Sequence, residues 1–159
     1  MTAIRPLDAS WGLPPEVSES IEAMSRWDAG EDTSVTLGDR QSALVGQINR
    51  AAEEASVDNW DGEGGQPVSW STVEFAYKFA EALPVTLPTP DVIPENDGEL
   101  AFEWYYAPRR VFSVSVRRDG TLSYAGLNGP LRFAASTVLH AGVPAHIIEF
   151  VARIASGAE

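Results

Sequence analysis

The densest run of chemically useful side chains is Asp58-Asn59-Trp60-Asp61-Gly62-Glu63-Gly64-Gly65-Gln66-Pro67, which sets three carboxylates around an amide and an indole. Oxygen ligands at such close spacing are what a hard divalent cation takes. The twelve-residue calcium loop gives a direct test. With Asp61-Gly62 at its fifth and sixth positions, Val57 and Val68 fall at the first and twelfth, where the loop needs carboxylates. The pattern fails, so the run reads as a structural loop. Asn and Asp cap their own turns, the glycines accept positive φ, and the Trp60 ring is expected to pin the loop to the core.

Other constellations are weaker. Glu99 and Glu103 lie four apart on one face of an alternating segment, about 13 Å at 3.3 Å per residue. Two glycosidase carboxylates need about 5–9.5 Å, so the pair reads as solvated strand residues facing Arg117. His140 and His146 lack the i, i+4 spacing of a helical metal pair. There is no Gly-x-Ser-x-Gly elbow and no phosphate-binding loop, and the one lysine, Lys78, falls inside an expected helix. With no cysteine, disulfides, thiol nucleophiles and zinc–thiolate sites are excluded. No catalytic residue, cofactor or metal ligand set is therefore expected.

The elements that position these residues follow from periodicity. Pro14-Pro15 opens an expected short helix with Val17, Ile21 and Met24 on one side and Glu16, Glu19 and Glu22 on the other. Asp39 is the expected N-cap of a helix to about residue 56, with Leu44, Ile48, Ala51 and Ala55 on one face. Ser71-Thr72-Val73-Glu74 reads as a capping box opening a helix to about Leu83, its inner stripe Val73, Ala76, Tyr77, Ala80 and Leu83. Pro84, Pro88, Pro90 and Pro94 then make an extended connector that is barred from a central strand.

Beyond it the period becomes two. Leu100, Phe102, Trp104 and Tyr106 form one strand face, and Phe112, Val114 and Val116 another. Arg118-Asp119-Gly120 signals a hairpin into a strand from Thr121 to Ala125, and Leu131–Ala134 reads as a short fourth strand. Pro144 starts a last helix with Ile147, Ile148, Val151 and Ile154 on one face. The expected fold is α+β, an antiparallel meander of three to four strands with helices packed on one face. One domain covers 1–159, with 1–37 as a loosely structured N-terminal arm and 38–159 as the core.

Charge narrows the partner class. The 159 residues carry a net charge of −12, divided into −15 over residues 1–103 and +3 over the rest. Nucleic-acid phosphates repel such a surface, and the arginines of Arg109-Arg110 and Arg117-Arg118 are too few to reverse that. No stretch approaches the roughly 20 apolar residues of a membrane span, and the start lacks a secretory apolar run, so a cytoplasmic protein is expected.

The run Asn59 to Val68 resembles a motif in a group of short bacterial proteins without assigned activity. There a helix follows, then Leu-Pro, a proline-rich connector, and an Asp-Gly-Glu strand ending in Glu-Trp. This chain has Leu83-Pro84, Asp97-Gly98-Glu99-Leu100 and Glu103-Trp104, so the similarity spans residues 58–126. Glu63 stands where that group often has an aromatic residue, and Gly65 where it often has Ala. The resemblance implies a bacterial, often mobile-element setting and no activity.

Together these features point to a non-catalytic acidic interaction protein: an inhibitor, or an antitoxin-like or anti-defence factor such as a phage anti-CRISPR. Its expected partner is a protein with a basic surface. The candidate contact residues are Glu16, Glu19, Glu22, Trp27, Glu31, Asp32, Trp60, Asp61 and Glu63. The alternative is a small divalent-metal-dependent enzyme using Asp61, Glu63, Asp97 and Glu99.

Overall fold

A computed structural model describes residues 33–157, with side chains from residue 38. Residues Arg40–Glu159 form one compact unit, which holds the sheet. The expected helix after Pro14-Pro15, and the contact residues Glu16, Glu19, Glu22, Trp27, Glu31 and Asp32, lie outside the described residues.

The elements run α1 (Thr33–Glu54), α2 (Trp70–Ala82), β1 (Asp91–Pro94), β2 (Leu100–Ala107), β3 (Arg110–Val116), β4 (Thr121–Asn128), β5 (Leu131–Val138) and α3 (Ala145–Ser156). The five strands pair antiparallel in chain order, a simple meander with helices on one face. Alternation decides the two faces. Phe102 pairs with Val114 and Val114 with Tyr124, while Glu103 pairs with Ser113 and Ser113 with Ala125. Leu100, Phe102, Trp104, Phe112, Val114, Val116 and Leu122 are buried under the helices. Leu44 and Ile48 of α1, Val73, Ala76 and Phe79 of α2, and Ile147, Val151 and Ile154 of α3 close over them.

Aromatic contacts lock these layers. Phe79 meets Phe102 edge to face at 4.8 Å between centroids. Phe133 and Phe150 stack at 4.0 Å, which brings α3 down on the far strands. Gly126 makes room for that stack, because a Cβ there would come within 2.4 Å of the Phe133 ring. Arg110 donates through Nη2 to the carbonyls of Ile154 and Ala155, setting a cation at the C-terminus of α3, where the helix dipole favours one.

Several elements differ from expectation. Helix α1 begins at Thr33, so Asp39 is an internal position; the turn upstream supplies the carbonyls that an N-cap would replace. Helix α2 is capped by Ser69, whose side chain accepts from the Thr72 N–H, and not by Ser71. The chain enters there because the Val68 N–H is already fixed on the Ala55 carbonyl at 2.8 Å. The proline-rich connector contains a fifth strand, β1, at a sheet edge, the place open to proline.

That edge is closed off. The register of β1 on β2 turns Pro90, Val92 and Pro94 outward. The prolines have no N–H, and the Val92 N–H is taken by Gln47 Oε1 at 2.8 Å. The Gln47 amide nitrogen in turn donates to the Pro90 carbonyl at 3.2 Å. Among the described residues, no helix is long and apolar enough to cross a membrane.

Candidate functional site

The turn joining β1 to β2 is Glu95-Asn96-Asp97-Gly98-Glu99. Its backbone closes through Glu95 N–H to the Glu99 carbonyl (2.9 Å) and Gly98 N–H to the Glu95 carbonyl (3.1 Å). Gly98 sits at φ 86°, a conformation that side-chain-bearing residues avoid. The Asp97 carboxylate accepts from the Glu99 N–H at 3.2 Å, the local bond by which Asp favours turns. A turn this tight brings residues two and four apart to the same place. One oxygen each from Glu95, Asp97 and Glu99 lies within 4.8 Å of the others.

The loop of residues 58–67 buttresses this turn. The Gln66 N–H donates to the Asn96 carbonyl at 2.8 Å, and the Pro67 carbonyl would crowd a Cβ on Gly98 at 3.0 Å. The loop's polar groups are turned on itself: Asn59 Oδ1 accepts from Gly64 N–H, and Asp61 Oδ1 from Glu63 N–H (2.9 Å) and Gly65 N–H (2.8 Å). Those two backbone donors hold the Asp61 carboxyl below its ordinary range. A Cβ on Gly65 would fall 2.7 Å from the Asp61 carboxylate carbon, so the same arrangement needs glycine there.

The three turn carboxylates differ in environment. Glu99 is 9% exposed and meets Arg117 Nε at 2.6 Å. Burial, then the Asp97 charge, push its carboxyl above the ordinary glutamate range, against the pull of Arg117. Glu95 is half-buried over the open sheet face. Burial raises its carboxyl as well, opposed by a hydrogen bond with Ser115 and reinforced by Asp97 and Glu103. Asp97 is exposed. Beside them lies a polar cavity of about 320 Å³ lined by Gln66, Ser69, Thr72, Asp97, Glu99 and Arg117. Trp70, next along the chain from Ser69, is 69% exposed. Its place at the head of α2 turns it away from the stripe of Val73, Ala76 and Ala80.

The expected site residues separate here. Asp97 and Glu99 come together, joined by Glu95, whereas Asp61 is committed to its own loop and is outside the cluster, as is exposed Glu63. Trp60 does not enter the core: its ring is half-buried, and its indole N–H donates to the Gln66 carbonyl at 3.0 Å. The loop is pinned by hydrogen bonds rather than by ring burial. Glu95 and Trp70 were missing from the expected set. The first was signalled by Glu-x-Asp-x-Glu around a Gly turn, since a hairpin folds positions i and i+4 against each other. Trp70 carries no such signal, because an aromatic at a helix start reads equally as core.

In chemical terms the turn concentrates negative charge that one arginine only partly offsets, and a large aromatic stands exposed at the same end of α2. No family model, curated protein or solved structure matches the chain.

Proposed function

We propose that the protein is a non-catalytic interaction protein that presents the Glu95–Asp97–Glu99 turn to a basic surface of a partner protein, with Trp70 as an apolar anchor. The observation that carries this reading is the crowding itself. Three carboxylates share one turn, and the Asp97 charge adds to the burial that raises Glu95 and Glu99, so an incoming cationic side chain offsets that repulsion on contact. Exposed Trp70 supplies the kind of residue on which interface energy concentrates. A protein built this way acts by occupying a basic site, as an inhibitor or an antitoxin-like or anti-defence factor does. A phage anti-CRISPR is one example of that class.

The alternative of a divalent-metal enzyme draws support from the 4.8 Å grouping of oxygens, but Arg117 already holds a positive charge against Glu99. An oligo-arginine peptide serves as the probe, followed by calorimetry at low and high salt. Binding that weakens as salt rises and is lost in the Glu95→Gln/Asp97→Asn variant supports the proposal. Affinity unchanged by that variant refutes it. A melting temperature raised by millimolar calcium, magnesium or manganese, and not in Asp97→Asn, transfers the support to the metal reading.

A further inference from the structure

The two edges of the sheet are treated in opposite ways. At β1 every outward N–H is either removed by proline or bonded to Gln47. Strand β5 is eight residues long, without proline or bulge and with one charged residue, Arg132. Its orientation follows from its pairing. The Leu139 N–H donates to the Gly120 carbonyl, so 131, 133, 135 and 137 exchange hydrogen bonds with β4. Arg132, Ala134, Ser136 and Val138 therefore turn their backbone N–H and C=O outward. Among the described residues nothing bonds to those groups, and all four side chains are exposed.

We infer that β5 pairs antiparallel with β5 of a second copy of this chain, extending the meander into a continuous ten-stranded sheet. The strand is self-complementary in one central register. With Ala135 opposite Ala135 on a two-fold axis, Arg132 faces Val138 and Ala134 faces Ser136 in both directions. All four outward residues of each copy then exchange both hydrogen bonds, eight in total, and no outward group of β5 is left over. The two residues meeting at the axis form a non-bonded pair, where side chains approach most closely, and both are alanine. The lone charge never faces its own copy. The −15 excess lies before residue 104, so β5 belongs to the part of the chain with a small positive balance. The axis stands perpendicular to the sheet, so the helices of both copies share one face.

The test is the solution mass of the full chain by light scattering and sedimentation, from roughly 1 μM to 1 mM, where an interface of modest area dissociates on dilution. The wild type is expected to rise towards twice the 17.2 kDa of one chain. Ala134→Pro removes an outward N–H without touching the β4 ladder, and is expected to stay monomeric with an unchanged circular dichroism spectrum. Ala135→Lys and Ala135→Glu each set like charges across the axis and are expected to be monomeric alone, but to dimerise when mixed. A wild type monomeric throughout, a dimer surviving Ala134→Pro, or a mixture that stays monomeric overturns the inference. So does a monomer whose amides at 132, 134, 136 and 138 resist hydrogen exchange, since another segment of the chain then covers the edge.

Discussion

Removing Arg117 tests the electrostatics of the acidic turn. Its guanidinium lies 2.6 Å from Glu99, but the two partners are unequally placed: the Arg117 side chain is 52% exposed and that of Glu99 11%. Fully exposed pairs contribute about 0–1 kcal/mol, and breaking a fully buried pair costs about 3–5 kcal/mol. Half the pair is in water, so Arg117→Ala should cost about 1–2 kcal/mol, nearly all of it from the carboxylate left without its cation. Urea unfolding at neutral pH measures that loss. Two further measurements isolate its cause. Glu99→Gln in the Arg117→Ala background should recover more than half of the loss, because the stranded charge is gone. The deficit should also shrink as pH falls, since Glu99 is already raised and rises further without Arg117, so its proton is taken up earlier. A deficit that is the same at acid and neutral pH, or that Glu99→Gln fails to relieve, would refute the assignment of the cost to a stranded carboxylate.

Two other outcomes follow from the structure. Glu95 and Glu99 bind protons more tightly in the folded chain than at the ordinary 4.5, so stability should increase as pH falls from neutral through their raised values. Asp61 and Asp119 are held down, first by the backbone N–H of Glu63 and of Thr121 respectively. Their contribution is complete above the ordinary 3.8 and lost on further acidification, which gives a mildly acid optimum in urea midpoints; a profile that only falls from neutral downward contradicts it. Phe79→Ala empties a fully buried site against Phe102 and should lower stability by about 3–5 kcal/mol in the same assay, whereas a loss under 1 kcal/mol would mean that α2 does not close the core as described.

The legible parts of the fold were those in which burial imposes a period. Phe112, Val114 and Val116 alternate because one face of β3 is under helices and the other is not, and Ile147, Val151 and Ile154 mark the inner side of α3. Strands β4 and β5 run on to Asn128 and Val138, past the ends expected at Ala125 and Ala134. The added residues, Gly126-Leu127-Asn128 and Ala135-Ser136-Thr137-Val138, do not alternate apolar with polar, and in β5 none of them is buried, so burial imposes no period there. Phe79 is fully buried although it lies off the single stripe that the period picks out in α2, because the buried arc from Thr72 to Ala80 is wider than one stripe. In the site, Asp97 and Glu99 were singled out from sequence and are held in one turn. Glu95 is written in the same Glu-x-Asp-x-Glu spacing, whereas the exclusion of Asp61 depends on its capture by the Glu63 and Gly65 N–H groups, which spacing does not encode.

Gln47 has one more consequence. Its side chain does for Val92 what a neighbouring strand does elsewhere in the sheet, yet it is carried by a helix. The exchange rate of the Val92 amide is thus a clock for α1. That proton is released only when α1 lifts away from the sheet or the Gln47 side chain lets go. In Gln47→Ala that outward amide keeps no partner and should exchange at the unprotected rate, so the ratio of the two rates measures the protection that α1 confers on the edge.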